Sequence, residues 1–175
     1  MTKKIYILFL AIFFIACNEE KKSAASTDLL YFDLKGYFDK EIVRLQKLNP
    51  IINKTVTVNG ELEKKEIKIN DWKKELAIFS NADINRKSWR GSFAFKEKNG
   101  VDIYTSDNKK IPVKKVSITW NGEKAKRIEI IIANKNILFQ SNDTLNYYPD
   151  SLYDIKKEQK IRLLNEKKYS ITGKF

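Results

Sequence analysis

The groups on this chain able to do chemistry are carboxylates, lysines, hydroxyls and aromatic rings, because histidine is absent and the one cysteine stands at position 17. Without an imidazole there is no Ser-His-Asp or Cys-His nucleophile, and the usual zinc and iron sites lose their commonest ligand. The sequence predicts no catalytic residue, no metal and no cofactor. What remains for an enzyme is a carboxylate pair or a Ser/Lys couple acting on envelope glycans or peptides. The acidic residues group as Asp102 with Asp107, and as Asp143, Asp150 and Asp154. None has the spacing of a calcium loop, and turn chemistry accounts for them, since Asp and Asn hydrogen-bond their own backbone in turns. Aromatic residues are the better binding candidates. Trp89-Arg90 and Tyr147-Tyr148 fall between regular segments, where rings are open to a ligand, whereas Trp72 and Trp120 sit on apolar faces and belong to the core.

These residues need a scaffold, and hydrophobic periodicity supplies it. Leu34, Tyr37, Phe38, Glu41/Ile42, Leu45 and Leu48 recur at helical spacing, predicting an amphipathic helix over 28–48 that ends at Asn49-Pro50. A second helix is expected over 71–82, capped by Asn70 or Asp71, with Trp72, Leu76 and Phe79 on one face. From Val101 onward the pattern is of strands over 113–120, 127–133, 137–140, 145–148, 153–155, 159–164 and 168–175. Ile130-Ile131-Ile132 reads as a central strand covered on both faces. The fold class expected is α+β: two N-terminal helices packed on a curved antiparallel meander of about six to eight strands. Burial sets three registers in advance. A three-residue loop at Asn59-Gly60 pairs Val56 with Leu62. An odd loop at Asn121-Gly122 places Val116, Ile118 and Trp120 on the face of Ile128, Ile130 and Ile132. A loop over 165–167 pairs Leu163 with Tyr169 and Ile161 with Ile171.

The start of the chain has a different grammar. Lys3 and Lys4 precede an apolar run over 5–16, which is shorter than the roughly 20 residues a bilayer core requires and is followed at once by Asn18, Glu19 and Glu20. That is the layout of a cleaved secretory leader. Phe14-Ile15-Ala16-Cys17 resembles the lipobox of bacterial lipoprotein precursors, with phenylalanine where the family prefers leucine. The resemblance implies that the leader is cut before Cys17, that its sulfur receives a diacylglyceryl group and that its new amine is acylated, palmitate being the usual chain. Asn18 differs from the aspartate of inner-membrane retention signals, which implies an outer-membrane lipoprotein facing either the periplasm or the cell exterior. Residues 1–16 are then the signal peptide, 17–27 the lipidated cysteine with a flexible tether, and 28–175 a single domain.

Charge sets the kind of partner. The full chain carries a net charge of +12, of which the leader holds only Lys3 and Lys4, but bases and acids interleave, as in Glu63-Lys64-Lys65-Glu66. Mixed runs of this kind form solvated faces, so nucleic acid is excluded as a partner and an anionic envelope surface is favoured. The expected function is a non-enzymatic binding module of the envelope, with the membrane as partner through its lipid anchor and an envelope protein or glycan as ligand. The alternatives are a carboxylate- or Ser/Lys-based hydrolase and a carrier of an apolar ligand.

Overall fold

The computed structural model describes residues 29–175; the leader, Cys17 and the tether lie outside the described residues. One full helix, α1 (Leu34–Leu48), leads into the hairpin β1 (Ile51–Val58) and β2 (Glu61–Lys68). Two single-turn helices follow, α2 (Trp72–Glu75) and α3 (Ala77–Ser80), and then a 3-10 turn over Lys87–Trp89. Seven strands complete the chain: β3 (Ala94–Lys98), β4 (Val101–Thr105), β5 (Val113–Asn121), β6 (Lys124–Lys135), β7 (Phe139–Tyr148), β8 (Leu152–Ile161) and β9 (Lys167–Lys174). All nine strands form one open antiparallel sheet in the order β2-β1-β9-β8-β7-β6-β5-β4-β3. The run from β3 to β9 is an unbroken meander, and the β1–β2 hairpin is added beside β9. The fold is α+β, with a large open sheet and little helix.

Alternation along the strands sorts the side chains onto two faces, and one face carries the core. A row of direct cross-strand partners, Ile118, Ile128, Tyr147, Tyr153 and Gly173, runs over five strands and is fully or nearly fully buried. The helices lie on this row. The Phe38 ring of α1 sits 5.1 Å from that of Tyr147, Phe79 of α3 sits 5.9 Å from it, and Trp72 of α2 meets Phe175 at 5.8 Å. Of the face read from spacing, Leu34, Phe38, Ile42 and Leu45 are buried and Tyr37 is half-buried, whereas Leu48, in the last turn, is exposed.

The helices differ from expectation at their ends. The first begins at Leu34 because the Asp33 carboxylate caps it, accepting from the Gly36 amide at 2.8 Å. Residues before the cap are instead strapped to the fold: Asn85 accepts the Tyr31 amide and donates to the Phe32 carbonyl at 3.0 Å, and the Tyr31 hydroxyl accepts the Phe93 amide. The expected helix over 71–82 is broken at Leu76, whose backbone (φ −95°, ψ 7°) leaves the helical region. Trp72, Leu76 and Phe79 all remain buried across the break.

Strand number and register also depart from the reading. The described residues form nine strands rather than six to eight: the segments expected over 137–140 with 145–148, and over 153–155 with 159–164, merge into β7 and β8, while β1, β2, β3 and β4 all join the same sheet. Polar residues in the middle of β7 read as a turn in sequence but are held by ladder partners on both sides. The longer β8 moves Ile171 opposite Ile155 and Tyr169 opposite Lys157, replacing the expected pairs with Ile161 and Leu163. At the first hairpin Val56 pairs with Glu63, across a two-residue turn with Asn59 at φ 51° and Gly60 at φ 97°. The parity argument failed there because β2 is an edge strand exposed along most of its length. With no burial to select the register, the left-handed preference of Asn-Gly decides it. At the β5–β6 hairpin burial does decide, since Val116 faces Ile130 and Ile118 faces Ile128. The parity comes from a bulge at Thr119/Trp120 rather than from an odd loop. Ile131 lies only half-buried on the opposite face, so β6 has its helical cover on one side alone.

Two polar clasps hold helix to sheet. The Tyr147 hydroxyl donates to Glu41 Oε2 at 2.5 Å, and Arg44 closes the carboxylate with a two-pronged contact at 2.9 and 2.8 Å while reaching Asp150 at 2.6 Å. The Tyr153 hydroxyl donates to Glu75, whose two oxygens also accept from Lys54 Nζ at 2.7 and 2.9 Å. Each buried phenol finds a charged acceptor, and each acceptor a cation, which removes the penalty of orphaned polar groups. Gly173 makes room for the second clasp, since a Cβ there would lie 2.3 Å from the Tyr153 ring. Tyr147→Phe is expected to cost about 1.5–3 kcal/mol in urea unfolding, the range for a hydrogen bond to a charged group. Gly173→Ala is expected to lower the urea midpoint and to release Tyr153 from Glu75, visible as a changed tyrosine environment in near-ultraviolet circular dichroism.

The same phenols give the fold an alkaline limit. Burial, and then the facing carboxylate, holds Tyr147 and Tyr153 well above the ordinary tyrosine range. A folded pKa above the unfolded value of about 10 means that their contribution is complete below that pH and is lost as pH rises toward the folded values. Unfolding free energy is therefore expected to fall above about pH 10, with absorbance titration showing these two tyrosines ionising only together with unfolding.

Candidate functional site

The helices cover the row through Tyr147 and Tyr153 but leave much of the same sheet face open toward the other strand ends. A parallel row of direct partners crosses that open region: Val113, Ile132, Asp143, Lys157, Tyr169 and Val58. Two hollows lie along it. One, of about 500 Å³, has Val113, Ile132, Pro112 and Asp143 on its sheet side and Trp89, Arg86, Lys74 and Ile78 facing them. The other, of about 410 Å³, is lined by Ile78, Ile155, Ile171, Tyr169, Lys157 and Gln159 and is open to solvent along one side. Ile78 of α3 belongs to both hollows, so they adjoin beside that turn.

Charge enters this apolar groove through Asp143. The residue is only 5 % exposed, yet its carboxylate accepts a single protein hydrogen bond, from the buried Ser141 hydroxyl. Lys157, its partner across β7 and β8, stands 3.7 Å from Oδ2, an ion pair longer than a good hydrogen bond. An ionised carboxylate offers about four acceptor positions, so Asp143 keeps capacity for a donor arriving from the hollow. The opposite wall is cationic. Arg86 lies 4.7 Å over the Trp89 ring and donates to the Asn81 carbonyl, and Lys74 lines the same hollow. The arrangement can hold an apolar body, a hydrogen-bond donor at Asp143 and an anion between Lys74 and Arg86.

The residues singled out from sequence part company here. Trp89 lines the groove, half-buried. Arg90 is exposed beside it and the hollow is lined by Arg86 instead. Tyr147 is not open to a ligand: it lies within β7, fully buried, with its hydroxyl spent on Glu41. Tyr148 points to the other face, half-buried, with the Arg127 guanidinium 5.7 Å from its ring. Trp120 donates from Nε1 to Asp102 at 2.9 Å, so Asp102 is tied into the wall rather than available. Asp150 does occupy a turn, at φ 62°, and Asp154 accepts from Thr172. Asp143 was read as a turn residue and is instead mid-strand. The signal that could have found it is parity: Ser141 and Asp143 alternate in phase with Leu145 and Tyr147, so all four share the buried face.

A third hollow of about 650 Å³ lies near the β5–β6 turn and is lined by Glu41, Arg44 and Asp150. Those charges are already joined to one another in the first clasp. Asp143 differs because its neighbours leave it underserved. No helix among the described residues is long and apolar enough to cross a membrane. In comparisons with protein-family models, curated proteins and solved structures, nothing matched this chain.

A buried carboxylate with one hydrogen bond and a long ion pair adds little to stability. Replacing the polar couple by apolar residues of similar size, Ser141→Ala with Asp143→Val, is expected to leave stability unchanged or to raise it by about 1–4 kcal/mol, as for other buried charges removed whole. Urea unfolding decides it. A substantial loss would mean that the couple holds the sheet together.

Proposed function

We propose that this chain is an outer-membrane lipoprotein, anchored through acylated Cys17, whose domain binds an elongated amphiphilic envelope molecule without converting it. The observation that carries the reading is the pair of adjoining hollows with one underserved carboxylate between apolar walls. Sites for small ligands are concave, mostly apolar, of roughly 300–1,000 Å³, with a few well-placed polar groups. Here the apolar body of the ligand lies on Ile78, Ile155, Ile171 and Tyr169. Its head places a donor on Asp143 and an anion near Lys74 and Arg86. A phospholipid-like head with phosphate and primary amine meets both demands. The groove is open, so this is a binding surface rather than an enclosed carrier cavity.

Hydrolysis by a Ser/Lys couple finds less support. Ser141, the serine hydrogen-bonded to the groove's carboxylate, is 1 % exposed and donates to Asp143, not to a lysine. Such a buried hydroxyl is shut off from a substrate carbonyl, and the lysine that a Ser/Lys couple needs is not its hydrogen-bond partner.

Two measurements test the proposal. Growth with a clickable fatty acid is expected to label the wild type and not Cys17→Ala; label persisting in the variant overturns the anchor. Calorimetry with a lysophosphatidylethanolamine below its micelle concentration is expected to give saturable one-to-one binding. The choline analogue, which lacks the N–H donors, should bind about tenfold or more weakly, the value of a hydrogen bond to a charged group. Asp143→Asn should erase that difference, and Ile155→Gln should weaken both ligands. Absence of saturable binding, or binding indifferent to both substitutions, overturns the groove as the site.

A further inference from the structure

The loops at one end of the sheet carry a second feature, distinct from the groove. Ile137 and Leu138, between β6 and β7, are 85 % and 65 % exposed; Leu163 and Leu164, between β8 and β9, are 96 % and 59 % exposed. They are the greater part of the strongly exposed aliphatic surface of the meander. The two loops belong together, since the Arg162 amide donates to the Leu138 carbonyl at 2.8 Å and Phe139 pairs with Ile161 just below. Four large apolar side chains thus stand in water on one tip, where each forgoes roughly 1.5–3 kcal/mol of burial.

Leu163 adds a conformational cost to the solvent cost. Its φ is 68°, in the left-handed region that non-glycine residues seldom adopt because the β-carbon crowds the backbone carbonyl. A strained backbone that presents an almost fully exposed leucine is the reverse of what folding alone selects. Cations surround the four apolar residues. Lys135, Lys160, Arg162, Lys167 and Lys168 are all exposed on the same two hairpins. The nearby acids are engaged, because Glu158 and Glu166 both face Lys168 at 3.4 and 3.9 Å. Among the described residues no carboxylate lies within 4.0 Å of the amino or guanidinium groups of Lys135, Lys160, Arg162 or Lys167.

We propose that this tip docks on an anionic lipid bilayer, with Ile137, Leu138, Leu163 and Leu164 entering the interface and the surrounding cations meeting headgroups. Apolar residues set within a basic collar are the chemistry of a surface that lies on a membrane, each basic residue adding about 1 kcal/mol near an anionic leaflet. A protein partner would call for a flatter apolar patch with carboxylates on its own side, and this patch is confined to two narrow loop ends. The chain also enters the fold from this side. Tyr31, two residues into the described segment, packs at 5.5 Å on Phe93, which precedes β3, and at 5.9 Å on Tyr104 near the end of β4. In an antiparallel meander those strand ends are on the same side of the sheet as the two loops. Docking here also brings the groove to the membrane surface, because Ile161 and Phe139 share the face of Ile155 and lead from the loops toward it.

The test uses the full chain with Cys17→Ala, which frees all other positions for a single label. An environment-sensitive nitrobenzoxadiazole probe is attached at Leu163→Cys, at Ile137→Cys, or at Glu123→Cys on the opposite end of the sheet. With vesicles containing anionic phosphatidylglycerol, the probes at 163 and 137 are expected to shift to the blue and brighten, while the probe at 123 is unchanged. Replacing Lys160, Arg162 and Lys167 with glutamine should move the response to a higher anionic-lipid fraction. The leader can hold the chain at a vesicle, but it cannot by itself bury one end of the sheet and spare the other. No change at 163 and 137, or equal changes at all three positions, overturns the proposal. A shift that grows with protein concentration in the absence of vesicles overturns it in favour of self-association. Asp143→Asn leaves the expected probe response intact, so failure of the tip and failure of the groove are separable.

Discussion

Helical cover is the scarce resource in this molecule. A 15-residue helix is about 22 Å long at 1.5 Å per residue, whereas nine strands at about 4.8 Å spacing extend roughly 38 Å across. Two further turns of helix extend the cover but cannot complete it. The sheet must therefore leave part of its inner face unlayered, and everything distinctive about the protein follows from which part that is. Most layered folds bury one sheet face entirely beneath helices or a second sheet. Here the row through Ile128, Tyr147 and Tyr153 is sealed, and the row through Ile132, Asp143 and Lys157 is not.

The position of the helices is set by directional contacts as well as by apolar burial. Hydrophobic packing of Phe38 and Phe79 on Tyr147 is strong but permissive, and would tolerate a helix slid along the strands. The two tyrosine–glutamate clasps are not permissive. Tyr147 and Tyr153 are direct cross-strand partners, and each accepts only one arrangement of its helix carboxylate and the attendant Arg44 or Lys54. Together they pin α1 and α2 over one half of the sheet, which is what keeps the groove beside α3 open. Scaffold and site are consequences of the same anchoring.

Polarity then divides along the strands. In the clasps, Glu41 and Glu75 are paired and hydrogen-bonded; toward the loop tips, Asp143 is underserved, Lys135, Lys160, Arg162 and Lys167 have no acidic partner among the described residues and four aliphatic residues face water. Local departures from economical folding gathered at one end of a sheet are what an interaction surface requires, since the free energy withheld in the isolated domain becomes available on binding.

Much of this was legible in the sequence, for reasons that can be named. Wherever a segment is buried on one side, its period announces it: Leu34, Phe38, Ile42 and Leu45 marked α1, and the shared face of Val116, Ile118, Ile128 and Ile130 followed from parity alone. Absence of histidine excluded whole classes of chemistry before any coordinate was known. What the tertiary structure alone decided lies where local pattern and burial disagree. β2 is an exposed edge, so its register obeyed the Asn-Gly turn and not the apolar residues. Ser141, Asn142 and Asp143 have the composition of a turn but stand inside a strand with ladder neighbours on either side. A buried polar residue cannot be told from a loop residue by type, because only partners distant in sequence determine whether water reaches it.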